Sequence, residues 1–446
     1  MSVTTTEHET PISIDSVQFE VLDGVPVEIG PSVLDIDLFE HIDKPYITAV
    51  MSFVSFDASI DLLTISGGEK VTISISVIDE YSCRMPAIKT FYLDKLIKTE
   101  KIKDDQEQYV AHLIEDIGFL SKMKNINQSY SGNGSDIIRK ICKDYLDRDV
   151  TLLGELEQQF IKLIVPNMNP IEALHWIKNR ISTKDGFPFY LFSSFLEKEL
   201  ELVELSSLLS QPIINWDIPY VFSESNISRH SPMGKIQRRT ILSYETRNTS
   251  DMFSLLDQGI IGANYSYIDV TKDKRNDFIF DVESDVIDKF RSKKLVKDMP
   301  NIDSFQYEWM RKETPRTKTI TQIGGTSSYR NWDSLSESED LASYKSKTAS
   351  RAMSNILTKD PILISVNGHD FFNGEDNTSI GRKVRVLFIK NKKQEKGEET
   401  DTETLFDTKK SGDFLIFACK HSIRQENYTV SMSLVKVDAD VPEVPL

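Results

Sequence analysis

The sequence predicts an α+β fold that is mostly antiparallel β, with two related β-barrel domains and an α+β insert between them. Three observations lead to this prediction. Apolar residues alternate with a period of two near both ends of the chain, which is typical of half-buried strands. The period changes to that of helices in between. A succession of four strands also occurs twice, and a repeat on this scale decides the architecture.

The two copies of the repeat preserve the order of their strands. The first copy comprises residues 47–56, 65–77, 88–96 and 106–113, and the second comprises 362–367, 380–389, 412–421 and 425–434. Gln106-Glu-Gln-Tyr109 in the first copy resembles Gln425-Glu-Asn-Tyr428 in the second. Two unrelated antiparallel meanders would give a similar alternation, because amphipathic strands look alike, so this alternative stays open.

The first predicted domain, residues 12–113, is a small β-barrel or sandwich that follows a polar leader at 1–11. Its clearest strand has apolar residues at every second position: Val71, Ile73, Ile75 and Val77. Asp23-Gly24 and Gly67-Gly68 are typical of turns between strands. One face of such a sheet covers a core and the other meets solvent or a partner.

Residues 114–210 form the predicted insert. Ser135 can cap a helix, and Asn169 followed by Pro170 and Glu172 is a strong helix start: an N-cap, proline at the first helical position and an acid in the first turn. The apolar run at 187–192 predicts a strand that pairs with 200–205. Helices and strands therefore alternate in this insert.

The second half is divided into a mixed segment, 211–337, and a closing segment, 338–440. The mixed segment is predicted to hold part of the second barrel, a short helix near Thr249, a strand at 259–269 and an extended loop at 312–337. The strand places Tyr265 and Tyr267 on one side. The closing segment starts with a helix at 338–358 and continues with the repeated strands. Residues 391–410 are rich in Lys, Glu and Thr, so we expect a flexible hairpin tip there.

Composition limits the function. The 446 residues carry a formal net charge of −16 and a pI near 5.0, which argues against binding nucleic acid by neutralising phosphates and against docking on anionic membranes. Cys83, Cys142 and Cys419 lack metal-ligand spacing and predict free thiols in a reducing compartment. We find no signal peptide and no window of eighteen apolar residues. The sequence thus predicts a soluble protein made in a cytoplasm.

No motif for catalysis, cofactor binding or metal binding stands out. The seven histidines lack the spacing of helical zinc sites, and His112 and His421 are interpreted as strand-surface residues. Ser135 lacks the turn of a serine nucleophile, and Gly67-Gly68 is a turn and not a phosphate loop. Basic residues cluster at 238–239 and 291–294. They are interpreted as solvated charge beside acidic neighbours, or else as a docking site for an acidic partner or another copy of the chain.

Several segments together resemble the central baseplate hub proteins of contractile-tailed bacteriophages, whose fold is shared with type VI secretion spike proteins. The resemblance is carried, in order, by residues 44–53 with 65–73, 127–146, 164–178 leading to 186–192, and 411–417 with 428–434. It spans most of residues 15–437, whereas 296–340 and 391–410 match nothing in the family. We favour a contractile-tail phage over a secretion spike because no long β-helix follows Val437.

The resemblance implies a non-enzymatic homotrimer in the tail baseplate of the virion, synthesised in the cytoplasm of a bacterial host. Each chain would carry two tube-type β-barrels, so that three chains present six barrels around a channel and adapt a threefold central spike to a sixfold tail tube. The implied partners are other copies of the chain, the central spike protein, tail tube or tube-initiator proteins, and tape measure and baseplate wedge proteins. Genomic DNA would pass through without specific binding.

The alternative is a tail-tip hydrolase or a receptor-binding tail protein on a hub-like fold. A hydrolase needs a further domain with a catalytic constellation, and the barrels and the insert already use the 446 residues. A receptor-binding protein would more often carry aromatic residues in its exposed loops, and the longest predicted loop is charged.

Overall fold

The computed structural model describes residues 12–20, 26–56, 65–79, 82–83, 86–103, 106–154, 160–183, 185–215, 218–222, 239–247, 252–269, 274–293, 295, 308–324, 337–358, 360–368, 371, 379–389, 406–407, 409–424 and 427–438. The leader at 1–11, the turn at Asp23-Gly24 and most of the predicted hairpin tip at 391–410 lie outside these residues. The described part confirms an α+β fold that is mostly antiparallel β.

The strands of the first half and the insert are β1 Ile12–Glu20, β2 Val27–Glu28, β3 Val33–His41, β4 Thr48–Phe56, β5 Lys70–Asp79, β6 Ser82–Cys83, β7 Ala87–Lys103, β8 Gln106–Glu115, β9 Ser129–Asn133, β10 Val150–Leu153, β11 Phe160–Ile164, β12 Phe189–Phe192 and β13 Leu200–Glu204. The later strands are β14 Tyr220–Phe222, β15 Ser243–Thr246, β16 Gly262–Asp269, β17 Lys274–Asp281, β18 Thr319–Gly324, β19 Ile362–Asn367, β20 Lys383–Phe388, β21 Gly412–Arg424 and β22 Asn427–Asp438. The α-helices are α1 Asp116–Ser121, α2 Gly134–Ile141, α3 Pro170–Lys178, α4 Leu205–Ser210, α5 Met252–Asp257, α6 Asp288–Ser292, α7 Glu308–Thr317 and α8 Glu337–Leu357.

One large sheet contains two sets of six strands with the same spatial order. The first set runs β3-β4-β8-β7-β5-β1 and the second runs β15-β19-β22-β21-β20-β14. Corresponding strands also follow each other in the same order along the chain. All neighbours in both sets are antiparallel except β14 and β20, which are parallel. This agreement supports the repeat that the sequence predicts.

The two sets also match in their hydrogen bonds. In the first set Gly68 N donates to Leu93 O at 2.8 Å, and in the second Gly381 N donates to Ile416 O at 2.9 Å. Both glycines have a positive φ, +91° and +75°, a conformation that glycine adopts without steric cost. A β-bulge follows directly after Leu93 in β7 and directly after Ile416 in β21. Leu93 and Ile416 are therefore equivalent positions.

The tyrosines that suggested the repeat are not equivalent positions in the structure. The two hairpins end in the pairs Lys103–Gln106 and Arg424–Asn427, which makes Gln106 equivalent to Asn427. Tyr109 then corresponds to Val430, two residues beyond Tyr428. The strand order therefore supports the repeat, whereas the Gln-Glu-x-Tyr match is shifted by two residues and is not part of it.

The edge strand β3 of the first set is joined to the inner strand β21 of the second set. The first part of β21 pairs with β20, and its second part pairs with β3, so that one sheet continues from the second half into the first. Among the described residues neither set closes into a barrel through strand pairing, and closure stays a prediction. The largest hydrophobic core extends through both halves, and a second core fills the insert.

Two of the sequence predictions for the insert are confirmed and one is wrong. Asn169 caps α3, because its side chain accepts a hydrogen bond from Glu172 N at 2.9 Å, and β12 pairs with β13 as predicted. The prediction that Ser135 caps α2 is wrong. Asn133 is the N-cap residue, and the Ser135 hydroxyl is buried without a hydrogen-bond partner in the described structure.

The middle of the chain contains more regular structure than expected. The predicted extended loop at 312–337 is wrong for residues 312–324, because α7 continues to Thr317 and β18 follows it. Residues 325–336 of that prediction lie outside the described part of the chain. The pairing of β18 with β16 explains the difference, since a polar strand on a sheet edge has few apolar residues to reveal it. The prediction for Tyr265 and Tyr267 is confirmed: both are buried on one face of β16. No helix among the described residues is long and apolar enough to cross a membrane.

Candidate assembly junction

The candidate functional site is the junction at which residues 418–424 of β21 pair antiparallel with residues 35–41 of β3. It joins strands that lie more than 370 residues apart in the sequence. Three layers of contact build it: the strand pairing itself, a buried polar network on the inner face and ion pairs on the outer face.

A buried polar network ties the two halves and the insert together. The Nε2 atom of His421 lies 3.0 Å from Glu40 Oε2, and its Nδ1 atom lies 2.7 Å from the Tyr428 hydroxyl. The other oxygen of Glu40 accepts a hydrogen bond from the backbone N–H of Phe195, which belongs to the insert. Glu40, His421 and Tyr428 are all buried. The interpretation of His421 as a strand-surface residue is therefore wrong, because its ring is buried among Glu40, Tyr428 and Phe195.

The network holds Glu40 in its charged form. Burial alone would raise the pKa of this carboxyl, but the charge of His421 and the hydrogen bonds from His421, Ser379 and Phe195 outweigh burial. The pKa of Glu40 consequently lies below its ordinary value. A buried carboxylate with several donors is stable only while the donors remain in place, so the network depends on all three parts of the chain.

Glu40, His421 and Cys419 could in principle hold a metal ion, since one ligand atom from each lies within 4.8 Å of the others. Two observations argue against this role. Both ring nitrogens of His421 already take part in hydrogen bonds. Burial, with the nearby Glu40 charge, raises the pKa of the Cys419 thiol, whereas a metal ligand must be a thiolate. The cluster fits a hydrogen-bonded structural network better than a metal centre.

On the outer face, a basic strand lies against an acidic one. Lys420 Nζ lies 2.9 Å from Asp37 Oδ2, and the Ser422 hydroxyl donates to Asp37 Oδ1 at 2.6 Å. Lys420 is directly opposite Phe39, so its ion pair with Asp37 crosses the strand pair diagonally. The junction therefore combines backbone pairing with a diagonal charge contact.

Further ion pairs fix the insert beside the junction. Glu115, at the end of β8, accepts from Ile47 N at 2.7 Å and from Lys89 Nζ at 3.2 Å. The same Lys89 ammonium donates to the backbone carbonyl of Glu197 in the insert at 2.7 Å. A second pair joins Lys178 of α3 to Asp43, in the turn after β3. Both lysines are largely buried, so removing the acceptor of either one would leave a buried charge without its partner.

A cleft of about 640 Å³ lies between the insert, β16 and α8. Its basic side chains include Arg180 and Arg351, and Tyr265 and Tyr267 form one wall. Among the described residues that line it, Asp43 is the one carboxylate, and it is paired with Lys178. The cleft therefore lacks a pair of carboxylates for hydrolysis of a glycosidic bond.

Of the basic residues that the sequence singled out, Arg239 donates a hydrogen bond to the backbone carbonyl of Ile218 at 2.5 Å, and Arg291 and Lys293 lie near acidic side chains. Arg291 lies near Glu283 and Asp288, and Lys293 Nζ lies 2.7 Å from Asp185 Oδ2. These contacts agree with solvated charge beside acidic neighbours. The sequence did not indicate the Glu40 network. Its one signal in the sequence is the charged Glu40 itself, which stands at an apolar position of the alternating β3 pattern.

Two solved structures are similar to this chain along nearly its whole length. The tail protein from Neisseria meningitidis MC58 matches with a TM-score of 0.53 and 12% identity, covering 96% of this chain and 97% of that one. The 43 kDa tail protein of prophage MuSo2 from Shewanella oneidensis matches with a TM-score of 0.51 and 10% identity, covering 96% of this chain and 100% of that one.

No protein-family model and no curated protein sequence matches the chain. The similarity thus lies in the arrangement of the backbone over the full length, at identities too low to compare individual residues. It agrees with the fold that the resemblance to baseplate hub proteins implies. This protein has the fold of phage tail proteins.

Proposed function

We propose that this protein is a structural, non-enzymatic hub subunit of a contractile phage tail baseplate. Three copies form a ring that adapts a threefold central spike to a sixfold tail tube and lines the channel for DNA. The protein resides in the virion and is made in the cytoplasm of the bacterial host. The fold of phage tail proteins supports the tail location.

The observation that carries the proposal is the internal repeat. Each chain offers two sets of six strands with one spatial order, and they are joined through the junction of β21 and β3. Three copies of such a chain present six similar sheets. A ring with this composition has threefold symmetry in its chains and near-sixfold symmetry in its sheets, which is what an adaptor between a spike and a tube requires.

The acidic composition suits a channel for DNA. Duplex DNA carries one negative charge per about 1.7 Å of its axis, so an acidic wall repels it and limits sticking. We place a large share of the −16 net charge on the inner surface of the ring. A neutral or basic inner surface in a structure of the assembled trimer would contradict this part of the proposal.

The proposed partners are the central spike protein on one side of the ring and tail tube or tube-initiator proteins on the other. Tape measure and baseplate wedge proteins would contact the hub within the baseplate. These partners come from the resemblance to baseplate hub proteins. The long polar helix α8 and the sheet of β16–β18 supply further surface for such contacts.

The proposal is tested by co-expression with the central spike protein of the same phage. Light scattering after size-exclusion chromatography should give a complex containing three times the 51.0 kDa chain mass. Electron-microscopy class averages down the axis should show six similar density features at the end facing the tube. The protein expressed alone is the control, since the ring can depend on the spike for assembly.

A stable monomer in the presence of the spike protein would contradict the proposal. Hydrolysis of cell-wall material by the purified chain would favour a tail-tip hydrolase instead. Binding of the chain alone to host cells would favour a receptor-binding protein.

A further inference from the structure

Strand β7 has a sheet edge that no described strand occupies. On the side of β5, the strand is paired as far as Leu93, where hydrogen bonds join it to Gly68 and Glu69. Beyond that point residues 95–100 have a partner on the other side only, in β8. Lys95 and residues 97–100 are exposed. The equivalent stretch of β21, which starts after Ile416, is the stretch that pairs with β3 in the junction.

The opposite end of the sheet has the complementary edge. Strand β15 pairs with β19 and with no other described strand. Leu38 of β3 lies opposite Ala49, and Thr246 of β15 lies opposite Ile362. Ala49 and Ile362 in turn lie opposite the equivalent residues Leu113 and Leu434. Strand β15 is therefore the equivalent of β3, and Glu245 is the equivalent of Asp37.

We propose that residues 95–100 of β7 in one copy pair antiparallel with β15 of the next copy, which repeats the intrachain junction between subunits. This inference rests on the proposed ring and identifies the surfaces that close it. From β15 to β7 each chain contributes eight successive strands to the sheet. A head-to-tail contact of this kind closes into a ring, and three copies then form a continuous sheet of twenty-four strands in which neither edge is left open.

The diagonal ion pair of the junction has a counterpart on the two edges. Lys98 is the equivalent of Lys420, because each lies opposite an equivalent residue, Val110 or Ser431. When β7 and β15 pair in the register of the junction, Lys98 lies diagonally from Glu245, as Lys420 lies from Asp37. On β7, Lys98 forms an ion pair with Glu100.

On the edge of β15, Arg247 Nε lies 3.0 Å from Glu245 Oε1. The same register places Glu100 diagonally from Arg247, so two diagonal pairs of opposite charge form between the copies. Glu100 then faces Glu245 directly, and Lys98 faces Arg247. Facing residues are closer than diagonal ones, so these four charges do not favour the contact by themselves, and backbone pairing with burial of the edge residues has to stabilise it. Exchanging charges on the two edges therefore tests the register.

Exposed apolar residues lie beside both edges. Ile97 on β7 is 54% exposed, and Leu242, just before β15, is 59% exposed. An open strand edge with exposed apolar side chains is prone to uncontrolled pairing with other chains. The lysines of β7 reduce that risk in the free subunit, and a second copy of this chain removes it by covering both edges.

A disulfide tests the register. Thr99 and Thr246 are equivalent to His421 and Leu38, which lie directly opposite each other, and both threonines are exposed. Directly opposed residues in antiparallel strands have Cα atoms about 4.5–5.5 Å apart, within the range of a disulfide. In a Cys83→Ser background, the Thr99→Cys/Thr246→Cys variant should oxidise to dimers and trimers on non-reducing gels. The matched control combines Thr99→Cys with Thr321→Cys. Thr321 is exposed on β18, which takes no part in the proposed edge pairing.

The outcomes separate this inference from the proposed function. A trimer by light scattering with cross-links only in the edge pair supports both. A trimer without those cross-links overturns the edge pairing and leaves the hub function standing. A monomer in the presence of the spike protein contradicts both.

A charge exchange gives independent evidence. In the wild type, two like-charge pairs face each other and two opposite-charge pairs lie diagonally. Lys98→Glu alone, or Glu245→Lys alone, makes one facing pair attractive and one diagonal pair repulsive, so neither change should weaken the trimer. The double variant makes all four pairs attractive and should lower the protein concentration for half-assembly by about tenfold, with a smaller effect for each single change. No effect in the double variant, or an equal effect in a single variant and the double, would overturn the inference.

Discussion

The two halves of the large sheet share one strand order but differ in how their strands are connected. Between β3 and β4, residues 42–47 make a short turn, whereas the described residues between β15 and β19 include three strands and four α-helices. The pairing of β1 with β5 is antiparallel, and the corresponding pairing of β14 with β20 is parallel. Backbone hydrogen bonds thus constrain the order of the strands, while connections outside the sheet are free to change.

The equivalent edges of β7 and β21 differ in their environment. The edge of β21 is covered by β3 within the same chain, and it carries the buried His421. In the free subunit the edge of β7 carries exposed lysines instead. A contact that forms during folding can include a buried polar network. An edge that pairs only on assembly is exposed in the free subunit, so it needs charged side chains that prevent aggregation.

The largest effect is expected from removing the carboxylate of the covered junction. Glu40→Ala leaves buried His421 and the N–H of Phe195 without their partner, which should lower the free energy of unfolding by about 3–5 kcal/mol. Urea denaturation followed by circular dichroism measures the loss. Glu100→Ala, on the exposed edge of β7, is the control and should change the stability by less than about 0.5 kcal/mol. Equal small effects would show that the two edges do not differ.

Acid should weaken the same junction. The pKa of Glu40 lies below its ordinary value in the folded protein, so its stabilising effect is full above the unfolded pKa near 4.5 and is lost as pH falls through the folded pKa. We expect the urea midpoints of wild type and Glu40→Gln to converge as pH is lowered from about 6 to about 3. A gap that stays constant over this range would contradict the role of the charge.

The equivalent glycines Gly68 and Gly381 test whether the halves use the same turn. Each has a positive φ, so Gly68→Ala and Gly381→Ala should each cost about 1–2 kcal/mol. Gly381→Ala should cost more, because its added Cβ would lie 3.1 Å from Phe192, whereas at Gly68 the nearest atom is 3.5 Å away. Thermal unfolding of both variants beside Thr99→Ala, an exposed control, measures the difference. A neutral effect at either glycine would break the equivalence.

The smallest effect is expected at the outer ion pair. Lys420→Met removes a partly exposed contact to Asp37 and should cost about 0.3–1 kcal/mol. The matched Lys98→Met should leave unfolding of the single chain unchanged, since it lies on the open edge. Comparing both variants by urea denaturation in low and high salt checks this, because salt should reduce the Lys420 effect.

The sequence alone indicated the strands that alternate clearly and the α3 helix that begins after Asn169. Their signals are local: a period of two along β5, and a cap with proline and an acid around α3. Strand β18 was missed because edge strands need few apolar residues. The burial of His421 was missed because Glu40, its buried partner, lies on a strand more than 370 positions away in the sequence.

The amino-acid pattern thus determined the mostly antiparallel architecture and indicated a repeat, which the strand order supports. Tertiary structure alone decided which residues of the two copies are equivalent, since hydrogen bonds between strands set the register and the Gln-Glu-x-Tyr match did not. It also decided that β21 meets β3 and creates the Glu40 network. Local patterns record which side of a strand is apolar, but the identity of the neighbouring strand depends on contacts between distant parts of the chain.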